Sequence, residues 1–176
     1  MIGKPLNLKA MHIWTDEDVF NLTLLDPQDV DFGDLPQTVL EKLALGTEPY
    51  FANYALGELD KRNPDLARVV STKVLSSVGA DPYLKAAALE VLYHRDLEAA
   101  SSFMRVQVLN CDPYLLKTMM DLLLGETRES WNNIHTELGS VIAVRLAQLT
   151  PNQLDDDLSD QKESFLNRLS LRASKI

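Results

Sequence analysis

Apolar positions along the middle of the chain follow one helical pattern three times over. The stretches TEPYFANYALGEL (47–59), ADPYLKAAALEVL (80–92) and CDPYLLKTMMDLL (111–123) align on Pro49, Pro82 and Pro113. Two residues beyond each proline stand Phe51, Leu84 and Leu115; seven beyond, Leu56, Leu89 and Met120; ten beyond, Leu59, Leu92 and Leu123. Offsets of two, seven and ten keep to one face of an α-helix. Asp81 and Asp112 precede their prolines where a side-chain oxygen can cap a helix, and proline at the first helical position loses no hydrogen bond. Glu48 is the poorer cap of the three. A tyrosine follows each proline: Tyr50, Tyr83 and Tyr114.

Each of these helices is followed by a second. Asn63-Pro64 opens one with a stripe at Leu66, Val69, Val70 and Val74, closed by Gly79. Asp96 opens the next. Thr127 opens the last, whose face reads Trp131, Ile134, Leu138, Val141, Ile142 and Leu146. A repeat of about 30 residues built from helix pairs predicts a solenoid, in which stacked hairpins bury a continuous core. At the ends, TDEDVFNLTLL (15–25) predicts a short helix with Thr15 as N-cap and Asp18 completing a variant capping box. A terminal helix capped by Ser159 carries Phe165, Leu166, Leu169 and Leu171, with DDD (155–157) as a solvated loop before it.

The motif Ala-Asp-Pro-Tyr followed by a small-residue Ala-Leu helix (80–92), with ALGEL at 55–59, resembles the HEAT-like repeat. The resemblance covers about 47–149, plus a degenerate unit at LPQTVLEKLALG (35–46), and departs from the pattern where Thr118 and Met119 replace the alanines. The tetratricopeptide spacing does not fit. The resemblance implies an all-α fold, an α-solenoid of stacked antiparallel helix pairs with atypical capping segments. The expected layout is one domain over 1–176: an acidic cap (1–34), helical repeats (35–149) and a C-terminal capping helix (150–176). It further implies that the second helices line a concave groove, placing Arg68, Lys73, Arg105, Asn132 and His135 toward it.

Composition narrows the function. The chain of 176 residues carries 26 acids against 17 bases, for a formal charge of −9. Residues 1–48 hold nine acids and three bases, so most of the excess precedes the repeats. Phosphate binding needs clustered lysine and arginine, so no nucleic-acid partner is expected, and a HEAT-like DNA-repair enzyme fits poorly. No stretch reaches the 18 apolar residues of a membrane helix, the N-terminus lacks the apolar run of a signal peptide, and one cysteine suits a reducing compartment. The expectation is a soluble cytoplasmic protein, monomeric, without a membrane partner.

No chemistry-bearing motif emerges. His12, His94 and His135 stand alone, without metal-ligand spacing. His94 fits a helix end, and His135, beside Ile134, is expected at the surface. Cys111 reads as a packed small residue. No phosphate-binding glycine loop or nucleophile elbow occurs, so no catalytic, cofactor or metal site is expected.

What stands out is the stretch from Asp16 to Asp34. Asp16, Glu17, Asp18, Asp26, Asp29, Asp31 and Asp34 occur there with no base, and Trp14, Phe20 and Phe32 interleave as apolar anchors. Such a surface suits a basic protein partner, steered by charge and held by aromatic contacts. The expected function is protein binding, foremost as an inhibitor of a basic partner such as a bacterial toxin, a role that small HEAT-like immunity proteins fill. A scaffold or adaptor using the groove is the alternative. An enzyme or cofactor-binding form similar to the HEAT-like bilin lyases is a further one.

Overall fold

The structure, a computed structural model, describes residues 13–127, 131–150, 153 and 156–173, the last stretch by backbone alone at 156–157 and 171–173. Among these residues the protein is all-helical. Its helices are α1 (Asp16–Leu22), α2 (Gln37–Ala44), α3 (Pro49–Arg62), α4 (Pro64–Ser76), α5 (Pro82–Arg95), α6 (Leu97–Gln107), α7 (Pro113–Gly125), α8 (Asn133–Gln148) and α9 (Asp156–Ala173), with 3-10 turns at Pro27–Asp29 and Phe32–Asp34. The helices pack against neighbours within two compact units, one ending at Val91 and the other beginning at Leu92, a boundary that falls inside α5.

The start signals act as their chemistry dictates. Asn63 accepts from the Leu66 N–H at 3.2 Å, Asp96 from Ala99 at 3.0 Å and Asp112 from Leu115 at 3.0 Å. Asp81 accepts from the Tyr83 N–H at 2.8 Å. Glu48 makes no side-chain cap bond. At α1 the expected box forms in full: Thr15 Oγ1 accepts from the Asp18 N–H at 3.2 Å, and the Thr15 N–H donates to Asp18 Oδ2 at 2.8 Å.

The repeat face forms the core. Phe51, Leu56, Leu59, Leu84, Leu89, Leu92, Leu115, Met120 and Leu123 are all buried, whereas Tyr50, Tyr83 and Tyr114 are exposed. In the first unit α3 packs between α2 and α4 and against both 3-10 turns, and α1 lies on α2. In the second, α8 packs on α6, α7 and α9, and α9 also packs on α7. Helices α8 and α9 meet at Gly139, where a Cβ would lie 2.6 Å from Leu169 Cδ2 and the leucine side chain would have to turn aside.

Several boundaries and faces differ from the sequence pattern. Helix α8 starts at Asn133 rather than near Thr127, because Asn132 accepts from the N–H groups of Ile134 and His135 at 2.9 and 3.3 Å. Helix α9 starts at Asp156, ahead of Ser159, so residues 156 and 157 belong to its first turn and not to a loop before it. Asp155, His12 and the N-terminal stretch read for a signal peptide lie outside the described residues, as does the Leu171 side chain. On α4 the buried row is Ala67, Val70, Ser71 and Val74, while Val69 is 42% exposed. Helix α4 ends at Ser76, before Gly79. On α9 Phe165 is fully buried and Leu166 is exposed.

Candidate protein-binding surface

The acidic segment divides into carboxylates that build the backbone and carboxylates turned to solvent. Asp18 closes the α1 capping box. Asp26 accepts from the Gln28 N–H and Asp31 from the Gly33 N–H, each at 2.9 Å, and these bonds shape the two 3-10 turns. A Cβ at residue 33 would sit 2.9 Å from Asp31 Oδ1, so glycine there gives the carboxylate room to fold back. Half-capping acids of this kind explain part of the density of charge without any partner.

Asp16, Glu17, Asp29 and Asp34 are exposed. Asp16 meets Lys42 Nζ at 2.5 Å with its side chain 91% exposed, an arrangement that salt screens readily. Phe20 is 61% exposed, and Trp14 is partly buried. Phe32 is not a surface anchor. It is buried at 8%, stacked on Tyr54 at 5.4 Å and tilted against Phe51 at 5.7 Å, because the second 3-10 turn rolls its ring onto α3. The exposed apolar side chains beyond α1 are instead Leu24 and Leu25, at 68% and 53%. Sequence reading passed over this pair because LTLL reads equally well as the inner face of a helix; α1 stops at Leu22, and that leaves both leucines outside.

Arg62, at the end of α3, fixes this segment in place. Its Nη1 donates to the Leu35 carbonyl at 2.7 Å, and its Nη2 donates to the carbonyls of Phe32, at 2.8 Å, and Gly33. Its Nε donates to Glu58 at 2.7 Å. The Arg62 hydrogen bond is the main reason that the Glu58 carboxyl is held below its ordinary value of 4.5. Arg62→Ala is expected to lower stability by about 2 kcal/mol, since several charge-assisted bonds are lost at once. A carboxyl with a depressed folded-state pKa adds stability above its unfolded value and loses that stability as pH falls. The gap between wild type and Arg62→Ala should therefore be full above pH 4.5 and shrink in acid, as urea unfolding over a pH series would show.

Of the five residues expected toward the groove, Arg68 and Lys73 lie on α4 in the first unit, and Arg105, Asn132 and His135 lie in the second. Arg105 pairs with Glu137 through Nε and Nη2, at 3.2 and 2.8 Å. Asn132 is exposed but caps α8. His135 is not at the surface: it is 2% exposed, and its imidazole lies inside a polar cluster. Nε2 is 2.7 Å from the Tyr93 hydroxyl, and Nδ1 is 3.3 Å from the Asn132 nitrogen and 2.9 Å from its Oδ1. Tyr93 donates to Glu126 at 3.1 Å, and burial with the nearby Glu126 carboxylate pushes the phenol pKa well above its ordinary value. Trp131 covers the imidazole at 5.5 Å, and the Arg168 guanidinium lies 5.3 Å from the indole while donating to the Leu124 and Glu126 carbonyls. This cluster joins the end of α5 to α7, α8 and α9. It is a fixed polar joint, and among the three residues only Arg105 and Asn132 can meet a partner.

Burial pushes the Cys111 thiol up to about 11, so it is protonated and weakly nucleophilic at neutral pH. His94 is exposed at the end of α5. Among the described residues no group of three or more His, Cys, Asp or Glu side chains is placed to hold a metal ion, and no helix is long and apolar enough to cross a membrane. No protein-family profile, curated protein or solved structure matches the chain.

Proposed function

We propose that this chain is a small HEAT-like α-solenoid that works in the cytoplasm as a protein-binding module. Its acidic N-terminal segment holds a basic protein, and inhibition of that protein, as by an immunity partner of a bacterial toxin, is the leading reading. The observation that carries it is the exposure of Phe20, Leu24 and Leu25, at 61%, 68% and 53%, within a stretch of seven acids and no base. Large apolar side chains bordered by one sign of charge combine the two parts of a specific interface. The apolar anchors supply affinity, and the charges speed encounter and reject wrong partners. Basic clefts, such as those of proteins that act on nucleic acid, are complementary to such a surface.

The test is capture from native lysate on the immobilised chain, eluted with a salt gradient. The expected result is one stoichiometric basic protein, released by salt and lost from a Glu17→Gln/Asp29→Asn/Phe20→Ala variant. These residues leave the turn-forming Asp18, Asp26 and Asp31 in place, so loss reports the surface and not the fold. For Phe20→Ala alone the affinity should fall about 30-fold, the equivalent of about 2 kcal/mol.

The adaptor alternative draws on a different observation. Val69 of α4, Val106 of α6 and Val144 of α8 are exposed at 42%, 71% and 54%, one valine on each second helix. An adaptor using those faces predicts capture that survives the triple substitution.

A further inference from the structure

Tyr50 and Tyr83 follow the prolines that open α3 and α5, and both remain in solvent, 65% and 38% exposed. Their rings stand 6.0 Å apart at 47°. Asn53, one turn along α3, donates its amide to the Tyr83 hydroxyl at 3.1 Å, which holds the second ring in position. Beside them the ends of α2 and α4 and the starts of α3 and α5 enclose a cleft of about 610 Å³, whose lining includes Thr47, Pro49, Lys73, Asp81 and Pro82. The Lys73 ammonium is answered by Glu41 at 3.5 Å. The acids that precede the two tyrosines have capacity to spare. Glu48 makes no cap bond, and Asp81 binds the Tyr83 N–H through Oδ1.

Two exposed tyrosines, each two residues beyond an acid that precedes a helix-opening proline, suit a flat cation. A guanidinium can stack on a phenol ring while its N–H fork reaches a carboxylate; an ammonium can do only the second well, and an anion neither. The partial positive charge at the helix starts acts against any cation, and the acid ahead of each proline offsets it. We infer that the face formed by Tyr50, Asn53 and Tyr83, with Glu48 and Asp81, takes an arginine side chain of the basic partner. The inference rests on the partner being basic but uses none of the residues in 16–34, so the two surfaces fail or hold separately.

The experiment is an aromatic-carbon NMR titration of the full chain with capped hexa-arginine, hexalysine and hexacitrulline peptides. Hexa-arginine should shift the Tyr50 and Tyr83 ring resonances saturably, hexalysine at least fivefold more weakly, and uncharged hexacitrulline not at all. Tyr50→Ala, read at Tyr83, and Glu48→Gln/Asp81→Asn should each weaken binding about tenfold, whereas Tyr50→Phe should retain it. The Glu17→Gln/Asp29→Asn change should leave the tyrosine shifts as they are. Circular dichroism establishes that each variant is folded. The inference is overturned if the rings do not respond, if hexalysine matches hexa-arginine, or if Tyr50→Ala leaves the Tyr83 response unchanged.

Discussion

Leu56→Ala is expected to destabilise the protein by about 3 kcal/mol, while Tyr50→Ala on the same helix costs less than about 0.5 kcal/mol. Leu56 is 1% exposed and Tyr50 is 65% exposed. Truncating the first removes buried methyl groups and leaves a cavity that a packed interior closes only in part. Truncating the second removes a ring that water already reaches. The same contrast should appear in α7 between Leu123, fully buried, and Tyr114, 46% exposed. Urea unfolding of the four variants measures it, and similar losses at the tyrosines and leucines would show the repeat register to be wrong.

His135→Ala is expected to cost about 3 kcal/mol or more. The substitution empties a site enclosed by Trp131 and Tyr93 and removes one partner of a buried hydroxyl, and both effects act in the same direction. Tyr93→Phe keeps the ring and loses only the hydroxyl bonds to Glu126 and His135, so about 1–2 kcal/mol is expected. Unfolding followed by tryptophan emission in a Trp14→Phe background reads this cluster, because the Trp131 indole lies 5.5 Å from the imidazole. A cost for His135→Ala as small as that of an exposed substitution would contradict the polar joint.

These two cases show what the chain reveals in its order of residues. The core face of α3, α5 and α7 was readable because apolar side chains alone occupy it, at offsets repeated three times. The capping box at Thr15 was readable for a similar reason, since its chemistry is local and spans four residues. His135 was misplaced because hydropathy counts imidazole as polar. The buried row of α8 runs His135, Leu138, Ile142 and Leu146, a spacing of three, four and four that passes through the histidine. That spacing was the available signal. What it could not supply was Tyr93, distant in sequence, which gives the imidazole its partner. Phe32 was misplaced for a parallel reason: its turn is set by Asp31 and Arg62, and the second of these lies on another element. The acidic segment itself was legible as charge. That three of its seven acids shape backbone turns emerges only from hydrogen-bond geometry.

The most direct test of the proposed function is hydrogen–deuterium exchange on the chain, alone and with the basic protein that it captures. Binding through the acidic segment predicts added protection over 16–34, strongest around Phe20 to Leu25 and weakened by salt, with α6 and α8 unchanged. Protection confined to α4, α6 and α8, with 16–34 exchanging as in the isolated chain, would contradict it and establish the second-helix faces as the binding surface.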